Sequence, residues 1–262
     1  NYDGFAVNYV NDLKDGLFKS FYNDGKLRQT VKYINDKKIG EEKGYYRNGK
    51  EKFTRTYTNG LLNGIELNFD RNGKKISKKN WIDNLIIGPY ESFYQNGLLK
   101  SSTTYNSSGV KYGVYYEYFP SGNMSVKGRY IDGIKQDEVF YYYDTPKNEI
   151  KKKSNLKKNI KHGPEIVYFA NGQINSESNF QNGKLRGEYA VYDEFTGDMI
   201  YSVNYIDNLK FGEEIEYYSN CLPKKITNYE NNIKNGQQIE YHDSTGQIKS
   251  VSYFINNIRS GL

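Results

Sequence analysis

The sequence predicts an all-β fold: an elongated repeat array of antiparallel β-hairpins, about ten 24-residue repeats forming one long twisted, curved meander. Three observations carry this. The unit GEEKGYYRNGKEKFTRTYTNGLLN, seen at 40–63, recurs head to tail with anchors at Gly16, Gly40, Gly64, Gly88, Gly113, Asp137, Gly163, Gly187, Gly212 and Gly236. The steps are 24 or 25 residues, with one of 26, a period that marks a repeat architecture. An aromatic stands five residues after every anchor: Phe21, Tyr45, Phe69, Phe93, Tyr118, Tyr142, Tyr168, Tyr192, Tyr217 and Tyr241. A second ring precedes the next anchor by seven or eight residues: Tyr9, Tyr33, Tyr57, Trp81, Tyr105, Tyr130, Phe180, Tyr205, Tyr229 and Phe254, broken only at Leu156. A turn of the Asn-Gly or Asp-Gly type lies between the rings, and another follows the second.

Residues 1–15 read as the tail of a repeat, with Tyr9 as its ring and Asn11-Asp12 as its turn. The repeats from Gly16 to Asn123 are regular, and those opening at Gly187 and Gly236 carry one extra residue in the first turn, DEFTG and HDSTG. The repeat at 137–162 is degenerate. No linker or composition shift divides the array, so 1–262 reads as a single domain. The chain opens at Asn1 without Met and stops at Gly261-Leu262, where an eleventh repeat would begin; it reads as trimmed or processed, either cytoplasmic or secreted after loss of a signal peptide.

Counted from each anchor, apolar residues fall at +3, +5, +11, +17 and +21, which predicts one aromatic face. Placing these odd positions on one face requires hairpin loops of odd length, because a slip of one residue sends a strand's side chains to the other face. Three-residue loops, x-Asn-Gly with the glycine left-handed, are therefore expected in place of two-residue type I′ turns. The +5 ring is expected to carry most of the stability. The anchor glycine is the natural place for a bulge or corner.

The pattern G-x4-Y-[YF]-x-N-G-K-x6-Y-x-N-G-x3-G resembles the MORN-variant repeat (membrane occupation and recognition nexus, second type) over 16–260. Proteins built of such repeats are grouped with a bacterial antitoxin family (YwqK-like). The resemblance implies a hairpin array that neutralises a toxin by binding it. Choline- and glucan-binding repeats share the period but lean on Trp, and Trp81 stands alone here.

Nothing points to catalysis, a metal or a cofactor. The two histidines, His162 and His242, lie far apart, His162 in a turn, and Cys221 takes a turn position held elsewhere by Gly. No Cys/His spacing suits a metal, and every Gly is explained by the repeat, leaving no phosphate loop. Acidic pairs such as Glu41-Glu42 and Glu213-Glu214 read as solvated charges. A single cysteine excludes an internal disulfide, and no run of ~18 apolar residues would span a membrane as a helix.

Two features exceed the needs of the repeat. A row at +6, Tyr22, Tyr46, Tyr94, Phe119, Tyr143, Phe169 and Tyr218, points away from the +5 ring by parity and is a candidate binding stripe. Between Lys147 and Lys161 lie seven lysines against Glu149 alone, a surplus equal to the net charge of +6. Of these, Lys151, Lys152, Lys153, Lys157 and Lys158 read as a basic loop for an anionic partner. The expected function is a non-enzymatic scaffold of the antitoxin or immunity type, docking a protein with an acidic surface. The alternative is a surface module for anionic lipid, glycan or a host-cell component. Single-stranded nucleic acid is disfavoured, because charge outside this loop is balanced and a backbone-tracking groove is basic along its length.

Overall fold

The computed structural model describes residues 4–260, and these form strands and turns without a helix. The expected opening of an eleventh repeat, Gly261-Leu262, lies outside them. The chain packs as two compact units, one running to Ser125 with Tyr130–Ile134, the other holding Val126–Arg129 and the residues from Lys135 onward. Each is an antiparallel meander. In the first unit, Gly16–Phe21 pairs with Leu27–Ile34, which pairs with Lys37–Tyr45, which pairs with Glu51–Thr58. In the second, Leu209–Tyr217, Pro223–Glu230, Ile233–Tyr241 and Ile248–Ile255 follow the same order.

All ten anchors have positive φ, from 65° at Asp137 to 110° at Gly236. The strand is distorted there: Lys43 faces Thr30 and Ile39 faces Lys32, so three residues around Gly40 stand opposite Val31 alone. The left-handed backbone explains why Gly dominates the anchor. On its other side the anchor sits opposite the second ring, as in Gly16↔Tyr33, Gly40↔Tyr57 and Gly64↔Trp81. The degenerate repeat keeps this register with Asp137↔Leu156.

The two turns of each repeat differ. The first is the expected three-residue loop: Tyr46 N–H donates to the Lys50 carbonyl, Gly49 N–H donates to the Tyr46 carbonyl, and Gly49 has φ 82°. The second is a two-residue type I′ turn, which corrects the expectation of three residues there. Asn35-Asp36 (φ 48° and 62°) and Asn59-Gly60 (52° and 83°) both show it, with Ile34↔Lys37 and Thr58↔Leu61 closing the ladder. The turn after Tyr105 keeps three residues, Ser107-Ser108-Gly109.

The single aromatic face is also corrected. Beyond the first loop, Phe21 faces Leu27 but Ser20 faces Gln29, leaving Arg28 bulged. That extra residue at +12 sends +13, +15 and +17 to the face opposite the +5 ring. The inner face therefore joins +2, +15 and +17. Phe18 meets Tyr33 at 5.9 Å between ring centroids and Tyr115 meets Tyr130 at 4.8 Å. Fully buried side chains lie here, Val31, Val139 and Val203 among them, and Tyr115 is 3% exposed. The +5 ring lies on the other face, half-buried throughout, with Tyr118 beside Tyr116. At the type I′ turns, Leu61, Leu85, Leu209 and Ile233 at +21 are exposed rather than inward.

The inner face also holds charge. Glu42 is completely buried and accepts hydrogen bonds from Gln29, Arg55 and, at 2.5 Å, Lys38. Glu66 accepts from Trp81 Nε1 at 2.9 Å, and Glu165 and Glu214 pair with Lys161 and Lys210. Glu42 and Glu214 thus depart from the expected solvated state, because the bulge at the anchor turns +2 inward while Glu41 and Glu213 stay exposed. Burial pushes the Glu42 carboxyl up, but its bonds from Arg55 and Lys38 outweigh that and hold it below the usual carboxylate range. The same balance lowers Glu165 through Lys161 and Ser154, and Glu214 through Lys210 and Tyr201. Buried Glu42 raises Tyr57 in turn, to about 12, after burial of the phenol itself.

Candidate functional site

The candidate site is the first-turn edge of the repeats in the first unit. Its frame is set by the +6 and +8 residues, which tie each turn to the next repeat. The hydroxyls of Tyr22, Tyr46 and Tyr94 donate to the carbonyls of Tyr45, Phe69 and Tyr118 at 2.6–2.9 Å. Asn48 Nδ2 donates to the Arg71 carbonyl at 2.7 Å, and Asn96 Nδ2 to that of Pro120. The Asn of x-Asn-Gly is thus a clip between repeats as well as a turn former. The second unit repeats both devices, with Tyr143 donating to Tyr168, Tyr218 to Tyr241 and Asn220 to Asp243.

The bulged residue, at +12 in the regular repeats and at +14 in the degenerate one, completes the edge. Arg28 lies over Tyr22 at 5.9 Å, Lys52 over Tyr46 at 5.9 Å, Lys100 over Tyr94 at 5.7 Å and Lys151 over Tyr143 at 5.5 Å. The predicted +6 row is half-buried at all seven positions, Phe119 and Phe169 included, and a cation lies over four of the rings. Such cation–π contacts contribute about 0.5–1 kcal/mol each at exposed sites.

At the repeats opening at Gly16, Gly40 and Gly64 this edge turns concave and basic. Tyr22, Tyr46, Arg47, Asn48 and Arg71 line a cleft of about 370 Å³. Arg47 lies 5.2 Å from the Tyr22 ring and donates to Asn23 Oδ1 at 2.8 Å. Among the described residues no hydrogen bond or ion pair engages the Arg71 guanidinium. Among the described residues no carboxylate lines the cleft. Asp24 is spent on Lys26 at 3.7 Å, and Asp70 accepts from the backbone of Asn72 and Lys74. A second hollow of about 370 Å³ adjoins it, lined by Lys26, Leu27, Tyr45, Arg47, Asn48 and Gly49. Paired guanidiniums with an aromatic wall suit carboxylate or phosphate groups.

The predicted lysine cluster is placed differently. Its residues lie on a strand, Ile150–Lys157, and on the type I′ turn Lys158-Asn159, in place of the expected loop. Alternation separates them. Lys152 reaches Glu165 at 3.6 Å and Tyr141 at 4.4 Å, Lys153 lies over Tyr168, and Lys157 and Lys158 are exposed near the second turn. They do not form one patch. His162 likewise lies on the strand Ile160–Tyr168, not in a turn, and accepts from Asn182 N at 3.4 Å. Among the described residues no group of three His, Cys, Asp or Glu is placed to hold a metal ion.

The first-turn arginines were missed because the charge excess was counted over one segment, when Arg28, Arg47, Lys50, Lys52, Arg71, Lys74 and Lys75 come from three separate turns. A second repeating cation was also overlooked. Lysine stands two residues before many anchors, and Lys14, Lys38, Lys111, Lys161, Lys210 and Lys234 lie 4.4–5.3 Å from the second ring of their repeats. Three stretches, 14–35, 111–132 and 161–182, match the MORN repeat variant. Three units of the array are thus similar to the MORN repeat variant. Each match opens on one of those lysines, Lys14, Lys111 or Lys161, and closes in the following type I′ turn. The unit matched is thus one lysine-capped hairpin of the MORN-variant kind. No curated protein matches the chain.

Proposed function

We propose that this chain is a non-enzymatic scaffold of MORN-variant repeats that binds another protein, of the antitoxin or immunity type, through the basic first-turn edge of its first unit. The observation that supports this reading is the cleft between Tyr22 and Tyr46, lined by Arg47 and Arg71 with no carboxylate among the described residues. Neither arginine is needed for the turn frame, which the backbone, Asn48 and the tyrosine hydroxyls already hold. Two exposed guanidiniums beside rigid aromatic walls fit an acidic protein surface. Tyr94 and Phe119 extend the row within the first unit, while Tyr143, Phe169 and Tyr218 form the corresponding row of the second, where Lys151 lies over Tyr143.

The test begins with affinity capture by the intact array and mass spectrometry of what is retained. The captured protein is then purified and its association with the chain measured against ionic strength. Replacing Arg47 and Arg71 together with Glu should slow association by roughly tenfold or more and flatten its salt dependence. Unchanged association would overturn the reading. Loss confined to anionic vesicles, with no protein captured, would favour the lipid alternative.

A further inference from the structure

The most exposed large apolar side chain of the second unit is Phe195, at 87%. It sits at the tip of the enlarged first turn Asp193–Asp198, and the turn holds it there. Asp193 N–H donates to the Asp198 carbonyl at 2.8 Å, and Gly197 N–H donates to the Asp193 carbonyl at 3.1 Å. Asp193 Oδ1 accepts from the backbone of Phe195 at 2.8 Å and of Thr196 at 2.9 Å, and Thr196 Oγ1 accepts from Asp198 N. A protruding ring on so fully bonded a tip loses little freedom on docking, which is what makes an aromatic residue an efficient anchor. Around it stand Asp193, Glu194 and Asp198, and among the described residues no ion pair neutralises them.

The complement is on the same chain. The hollow lined by Leu27 and Tyr45 has Lys26 and Arg47 at its rim and an open surface over Gly49. An apolar pocket with a basic rim matches an aromatic knob on an acidic turn in shape class and in sign. We infer that Phe195 of one copy docks into the Leu27/Tyr45 hollow of a second copy, its acidic turn paired with Arg47. The inference rests on the reading of the basic edge as a docking surface. Knob and hole are different patches, so the contact is heterologous and joins copies head to tail. One anchor and a few charges make a small, weak, salt-sensitive contact.

Sedimentation velocity from about 10 μM to about 1 mM, the range in which so small a contact is populated, tests this. The wild-type chain should show average mass rising with concentration at low salt and flattening at high salt. Phe195→Ala, whose side chain carries no packing, and Arg47→Glu should each abolish the rise with circular dichroism unchanged. An equimolar mixture of the two variants restores one knob and one hole, so it should form a one-to-one dimer and stop there. A wild-type mass independent of concentration, or association surviving in Phe195→Ala or in Arg47→Glu, would overturn the inference. Phe195→Ala should bind the captured acidic partner as the wild type does, whereas Arg47→Glu should associate with it more slowly. Partner binding that depends on Arg47 without self-association would sink this inference alone; self-association with partner binding indifferent to Arg47 would sink only the proposed function.

Discussion

The turns Tyr46–Lys50 and Asp193–Asp198 are built alike and carry opposite chemistry. In each, the residue that opens the turn donates its N–H to the residue that closes it, and a glycine N–H returns to the opening carbonyl. On the first stand Arg47 and a basic cleft; on the second, Glu194 and a bare phenylalanine. The backbone frame is thus indifferent to what stands on its tip. Stability lies in the inner face and the clips between repeats, and recognition is free to vary at the turns.

The comparison is broken most severely from the inner face. Tyr115→Ala removes an aromatic 3% exposed and should cost about 3–5 kcal/mol in urea unfolding. Tyr118→Ala, on the half-buried +5 ring, should cost distinctly less, and the reverse order would invert the assignment of faces.

Glu42→Gln should cost about 1.5–3 kcal/mol, the range for hydrogen bonds to a charged group. It should also alter the acid limb. The folded-state pKa of Glu42, Glu165 and Glu214 lies below the ordinary 4.5. Below that value the unfolded chain binds more protons than the folded one, so stability complete above about pH 5 is lost as pH falls through the depressed folded values. Thermal unfolding between pH 6 and 3 should show that loss, less steeply in Glu42→Gln.

Smaller effects come from the turn frame. Gly49 has φ 82° and open space where a Cβ would point, so Gly49→Ala carries only the left-handed backbone penalty of about 1–2 kcal/mol. Cys221 occupies the equivalent place in its own turn at φ 63°, and Cys221→Gly should raise stability by up to about 1–2 kcal/mol, by relieving the left-handed backbone penalty. Equal melting temperatures for Cys221→Gly and the wild type would show that the frame does not discriminate there.

What the sequence disclosed follows from period. The anchors, both rings, the three-residue first loop and the extra residue at DEFTG all recur, and recurrence exposes them. The face assignment failed on one residue per repeat. Arg28 at +12 is bulged, and no parity count can register a residue that the ladder skips; its signal was the basic side chain recurring at Lys52, Lys100 and Lys151. The buried glutamates were missed for a related reason, since the left-handed anchor turns +2 inward. At the site, Tyr22 and Tyr46 were legible as a row, but Arg47 and Arg71 lie 24 residues apart and meet only through the repeat.

The separation of frame from tip is tested most directly by measuring one double variant twice. Arg47→Glu with Arg71→Glu should leave the free energy of unfolding within about 0.5 kcal/mol of wild type, as exposed substitutions do. The same preparation should associate with the captured acidic partner roughly tenfold or more slowly than the wild type. A fall in stability above about 1 kcal/mol, or association equal to that of the wild type, would contradict the account.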